Sequence, residues 1–139
     1  MKNVSKTSIF QKLAASLINF LLAGVLSLPI FFLFDSVTLW KISLIIIFFL
    51  DSFLFMLLNK NRDLGMIIVK TYWQKQYSIK QQILYNCLYT VSFSTLFVWV
   101  IFPFDIFLIN LLLVQLPFVM ITGTTAHGYL SGKMTTVTI

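Results

Sequence analysis

The length of its uncharged stretches limits this chain more than any other feature. Leu13 to Phe34 is 22 residues without a charged side chain, Ile42 to Leu58 holds a single acid, Asp51, and Ile83 to Ile121 again a single acid, Asp105. A bilayer's hydrocarbon core, about 30 Å thick, takes about 20 apolar residues per helix. The chain is 59% hydrophobic and 10% charged, against roughly 25% charged in a soluble domain, so it has too little polar surface to cover a water-soluble globule. The expected fold class is an all-α membrane protein. At 139 residues there is room for a four-transmembrane-helix bundle in one domain, with short connections and no separate soluble domain.

The first crossing is expected at about 13–34, with Pro29 near its far end. The polar connection DSVTLWK (35–41) leads to a second crossing at about 42–58. A single helix over 83–121 would be about 58 Å long, nearly twice the hydrocarbon thickness, so it must fold back. The break falls at FPFD (102–105), because Pro103 lacks a backbone donor and Asp105 favours the interface. Crossings three and four then lie at about 83–102 and 105–121. The basic start has the charge of a signal peptide, but its apolar run outlasts the usual core of about 7 to 15 residues and no small-residue cleavage pattern ends it. It reads as a retained helix.

Nine of the ten basic residues, Lys2, Lys6, Lys12, Lys60, Arg62, Lys70, Lys75, Lys80 and Lys133, fall on one side of this arrangement, and Lys41 alone on the other. The positive-inside rule places both termini in the cytoplasm and the chain in the cytoplasmic (inner) membrane. That rule also accounts for the net charge of +6, so nucleic acid is not an expected partner. The segment 59–82 has an apolar core, LGMIIV, too short to cross. Tyr72, Trp73 and Tyr77 beside lysines suit an interfacial stretch at headgroup level. Within it SIKQ (78–81) has the spacing of a capping box, which would start the third helix.

The chemistry of most enzymes is missing. One cysteine, Cys87, and one histidine, His127, cannot make a structural zinc site or an internal disulfide. Only Asp63 could meet His127, and no nucleophile completes a triad. The glycines of TGTTAHG (122–128) lack the spacing and lysine of a phosphate-binding loop; Gly123 reads as a helix stop. His127 reads as a tail imidazole bonded to backbone, with a pH-sensing role as the alternative. No metal, cofactor or enzymatic activity is expected.

What remains is a set of polar residues at membrane depth. Counting along the helices puts Asp51, Gln115, Ser92 and Thr95 at one level near the midplane, with Asn19 nearer the cytoplasm and Asn110 nearer the outer face. An ionised carboxylate at that depth costs at least about 2.5 to 3.5 kcal/mol and normally faces the bundle interior with a partner. No lysine or arginine shares the level. Asp51 is therefore expected to hydrogen-bond Gln115 or a hydroxyl, either as interhelical glue or as a proton or cation carrier.

Three segments together resemble the RDD family of small prokaryotic membrane proteins. KLAASLINFLL (12–22) is similar to the family's first-helix motif at Lys12, Ala15 and Asn19. RDLGMIIVK (62–70) is similar to its glycine-centred cytoplasmic motif at Leu64 and Gly65, and AHGYLSGKMTTV (126–137) to its terminal motif at His127, Leu130 and Gly132. The resemblance spans nearly the whole chain. The family's named arginine and two aspartates are here Lys12, Asn19 and Gly128, and Asp63 and Met66 replace the threonine and lysine that usually flank the glycine. Sodium/proton exchange, credited to some members, therefore does not carry over to Asn19 or Gly128; if it survives it must use Asp51. The resemblance implies a multipass membrane protein. The function expected is a non-catalytic accessory or scaffold component, its partners membrane lipids, a second copy or another membrane protein; the alternative is a small cation/proton exchanger.

Overall fold

The computed structural model describes residues 4–138. The chain is mostly helical, with helices α1 (Ile9–Leu33), α2 (Val37–Leu58), α3 (Leu64–Ile68), α4 (Ile79–Ser94), α5 (Asp105–Thr122) and α6 (Ala126–Leu130). Three strands, β1 (Ser5–Lys6), β2 (Thr71–Trp73) and β3 (Thr136–Thr138), form one antiparallel sheet in the order β1-β3-β2. Helices α1, α2 and α5 are each long and apolar enough to cross a membrane.

The long helices start earlier than hydropathy suggests, because polar caps extend them beyond the apolar runs. Ser8 and Gln11 form a capping box that starts α1 at Ile9, four residues before the expected boundary. Ser36 accepts from the Leu39 amide and starts α2 at Val37, so most of the expected connection 35–41 is helical. The box expected at Ser78 and Gln81 is present and starts α4.

The third helix differs most from expectation. It ends at Ser94, with a 3₁₀ turn over Thr95–Phe97, rather than running to 102. Hydroxyls compete with the helical ladder there: Ser94 Oγ donates to the Val91 carbonyl and Thr95 Oγ1 to that of Ser92. Beyond them the Asp105 carboxylate captures the amides of Val100, Ile101 and Ile106, closing the turn in an extended path. Asp105 is accordingly buried as the cap of that turn. The expected break at 102–105 is where the chain does reverse, with Phe104 at φ 66°. Gly123, expected as a helix stop, ends α5 at φ 76°.

Helix α1 presents small or short side chains every fourth residue, Ala15, Asn19, Ala23 and Ser27, and α2 answers with Leu44, Phe48, Ser52 and Met56, all buried. Small residues at such a seam let backbones approach, which is how helices gain contact in lipid. Helix α4 closes the core with Tyr85, Tyr89 and Phe93. At its centre Phe48 stacks on Phe93 at 4.1 Å, and Phe20 lies 4.8 Å from Phe93.

The two ends of the bundle differ in kind. At one end the sheet joins both tails to the segment between α2 and α4. At the other, Lys41 at the start of α2 lies 4.9 Å from the Trp99 ring beyond α4, and Trp40 Nε1 donates to Ser27 Oγ. The segment 59–82 is thus folded into the protein. Trp73 packs edge-on against Tyr77 and Tyr85, Tyr77 is buried with its hydroxyl accepting from the Thr135 amide, and the Arg62 guanidinium covers Tyr72 at 4.4 Å.

Gly65 sits inside α3 where that helix crosses α1. A Cβ there would land on the Ala15 carbonyl. Gly65→Ala should therefore displace α3 and destabilise the protein by about 1–3 kcal/mol, as overpacking does. Thermal denaturation in detergent measures this, and an unchanged midpoint would refute the close crossing.

Candidate functional site

At the sheet end, α1, α3, α4 and the α5–α6 connection enclose a polar cavity of about 40 Å³, room for about three waters. Asn19 reaches in from the buried face of α1. Its Oδ1 accepts from the Gly65 amide at 2.8 Å and its Nδ2 donates to the Tyr89 hydroxyl at 3.3 Å, so one side chain ties α1, α3 and α4 together. Asp63 caps α3 by accepting from the Met66 amide at 2.8 Å. Lys12 Nζ donates to Thr136 Oγ1 at 2.8 Å, joining α1 to β3, and Thr124 Oγ1 donates to the Met134 carbonyl at 2.5 Å.

His127 lies beneath these groups, its ring 4.8 Å from that of Tyr89 and nearly parallel to it, and 4.9 Å edge-on from Tyr85. It is not the backbone-bonded tail imidazole expected. Its side chain makes no hydrogen bond among the described residues, and its buried Nδ1 has no partner. Helix α6, capped by Thr125, is folded back against α4 and carries the ring inward.

Four of the positions carrying the family resemblance therefore meet in space. Lys12, Ala15, Asn19 and His127 line the cavity. Gly128 lies against Thr124 and the Met134 carbonyl, with no room for a side chain. Leu64, Leu130 and Gly132 lie outside it: Leu64 opens α3, Leu130 is exposed at the end of α6, and Gly132 turns the chain at φ 107° beside the Gln81 amide.

The expected intramembrane cluster is only partly assembled. Ser92 and Gln115 do meet, joined by Asn110, whose Nδ2 donates to Ser92 Oγ at 2.6 Å. Gln115 Nε2 donates to Asn110 Oδ1 at 3.3 Å and approaches Ser92 Oγ at 3.4 Å, while its Oε1 accepts from the Ala126 amide. Thr95 is spent locally on the Ser92 carbonyl. Asp51 makes no hydrogen bond among the described residues, because Ser52 occupies the buried stripe of α2 and the next residue is turned about 100° away.

Several members of the site were not singled out from the sequence: Tyr85, Tyr89, Thr7 and Thr124, whereas Asp63, expected as the acid that could meet His127, does share its cavity. Asp63 carried a usable signal, an N-capping residue before a short apolar run. Asn110 did not, since it meets Gln115 through a π-helical stretch, Asn110–Gln115, that brings residues five apart onto one face. Pro117, lacking an amide, perturbs the α-helical ladder just beyond. No protein-family model matches this chain, and no curated protein or solved structure is similar enough to be matched to it.

Burial, reinforced by the Lys12 charge, pushes the His127 imidazole down to about 3, so it is neutral at neutral pH. An unfolded histidine titrates near 6.5. As pH falls below that value the unfolded chain binds the proton first, and stability is lost by up to about 1.4 kcal/mol per pH unit. Asp63 works oppositely: burial raises its carboxyl pKa, so acidification through the raised folded value relieves the cost of its ionised form. In an Asp63→Asn background, detergent denaturation should therefore have a lower midpoint at pH 5 than at pH 7, and adding His127→Phe should remove the difference. Equal midpoints in Asp63→Asn alone would refute the buried neutral imidazole.

Proposed function

We propose that the chain is a four-crossing, RDD-like integral protein of the cytoplasmic membrane that works as a non-catalytic accessory or scaffold component, assembling with itself or with another membrane protein. The observation that carries this reading is the uneven packing of the helices. Across 105–122 only Asp105 is buried, whereas α1, α2 and α4 share one aromatic core. A membrane helix with so little contact inside its own chain presents its faces to lipid or to another protein. Hydrogen bonds that join separate elements also occupy Asn19 and Thr124, which favours a structural use of those groups.

Four crossings are supported by length. The 16 residues of α4 rise about 24 Å and its 3₁₀ turn adds about 6 Å, together close to the hydrocarbon thickness. Sidedness is supported by the sheet, which gathers both described tails and the 59–78 connection at the basic end. The positive-inside rule assigns that end to the cytoplasm.

A second reading, a small cation/proton exchanger, is favoured by the buried Asp63 carboxyl beside the polar cavity; Asp51 is the other carboxyl open to this role. In reconstituted vesicles the scaffold reading expects imposed sodium and pH gradients to persist as they do in protein-free vesicles. Counter-movement that disappears in Asp51→Asn or Asp63→Asn would replace it with the exchanger. A photo-crosslinking residue at Leu113, exposed on α5, should give an adduct of one discrete protein mass in native membranes. Adducts with lipid alone would refute assembly through α5.

A further inference from the structure

Between α1 and α5 runs a second cavity, about 490 Å³, walled by apolar side chains such as Leu17 and Phe20 on α1 and Leu112, Leu116 and Val119 on α5. Its size is that of a pocket for a small ligand, about 300–1,000 Å³. Along α1 the lining extends from Ile9 to Phe20, about 16 Å at 1.5 Å per residue. At its basic end the groove meets the small polar cavity, and Lys12, Ser16, Tyr89, Thr125 and His127 belong to both linings.

The shared end has the character of a headgroup site. Lys12 lies one turn inside the start of α1, at the depth where a membrane helix enters the interface. Among the described residues its ammonium, with three donors, has one hydrogen-bond partner, the neutral Thr136 hydroxyl, and no carboxylate. No acid lines the groove; Asp63 lines only the small cavity. His127 is 6% exposed, and its Nδ1 has no partner. Thr7, 7% exposed, likewise leaves its buried hydroxyl unpaired beside the polar cavity. Buried polar atoms are rarely left without partners. Here two of them accompany a cation that, among the described residues, has no carboxylate partner.

We infer that this groove binds one anionic phospholipid, an acyl chain lying between α1 and α5 and the phosphate held at the basic end by Lys12, with His127 and Thr125 beside it. The occupant comes from the surrounding bilayer, which supplies the chain, and the Lys12 charge selects the headgroup. A second copy of the protein is the poorer occupant, because a packed helix needs an open face along its length and the groove closes at one end on polar groups. The inference rests on the membrane reading of the chain and is independent of the scaffold role.

Protein purified in mild detergent and exhaustively exchanged would be offered an equimolar mixture of phosphatidylglycerol and phosphatidylethanolamine, with bound lipid counted by native mass spectrometry. One phosphatidylglycerol per chain is expected, in preference to phosphatidylethanolamine. Lys12→Gln should lower that preference by about fivefold, the effect of one basic side chain near an anionic surface, and Lys12→Arg should keep it. Leu17→Trp, at a position 58% exposed in the groove wall, should reduce retention of both lipids without altering the denaturation midpoint. Equal retention of the two headgroups by the unaltered protein, or undiminished lipid in Leu17→Trp, would overturn the inference, and those two results do not depend on Lys12→Gln folding. Recovery of the chain in soluble form without detergent would instead overturn the membrane reading beneath it.

Discussion

A single buried amide holds the basic end of this protein together. Asn19 accepts the Gly65 amide and donates to the Tyr89 hydroxyl, so α1, α3 and α4 are fixed by one side chain 3% exposed. In lipid an unsatisfied polar group finds no water to replace its partner, which gives such a contact its directional force. It is possible because Gly65 has no side chain to hold the α3 backbone away from Ala15. Once α3 is seated, β2 follows within a few residues and pairs with β3, and β3 in turn captures β1. Ser5–Lys6 and Thr136–Thr138 are held in place through that chain of contacts.

The opposite side of the molecule is governed by a different balance. Helix α5 carries a π-helical stretch before Pro117, is hydrogen-bonded to its neighbours through Asn110 and Gln115, and meets α1 and α6 through Phe107 and Phe118. Those polar contacts pin it at one level while its apolar faces stay open and a groove remains beside α1. The tight half of the molecule thus acts as a frame for a loosely attached helix. The scaffold and lipid-binding proposals both rest on this asymmetry.

Much of the sheet-end site was legible as sequence, though not as a site. Lys12, Ala15 and Asn19 stand out on one stretch and His127 on another, and they converge because α1 and α6 pack at the same end of α4. Tyr85 and Tyr89, which supply much of its wall, looked like ordinary apolar-helix aromatics. Among the acids, counting along the helices favoured Asp51 for its depth, yet the lining carboxyl is Asp63. Depth along a helix can be counted from a sequence, whereas the direction a side chain faces depends on how that helix is rotated, and Ser52 rather than Asp51 lies on the buried face of α2. The end of α4 was misjudged for a related reason: its apolar character continues past Ser94, but local hydroxyls and the distant Asp105 carboxylate claim the backbone groups that would have prolonged it.

By itself the amino-acid sequence determined the helical, membrane-scaled architecture, the reversal at Pro103 and the concentration of positive charge on one set of segments. These properties add up residue by residue along the chain and need no knowledge of neighbours. Only the tertiary structure decided which polar groups meet, that the described tails and the 59–78 connection form one sheet, and that a groove is left between α5 and α1. Those outcomes depend on helix rotation, on the π-helical stretch in α5 that changes which residues share a face, and on the close approach of two backbones at Gly65. None of them has a signature in the composition or spacing of a single segment.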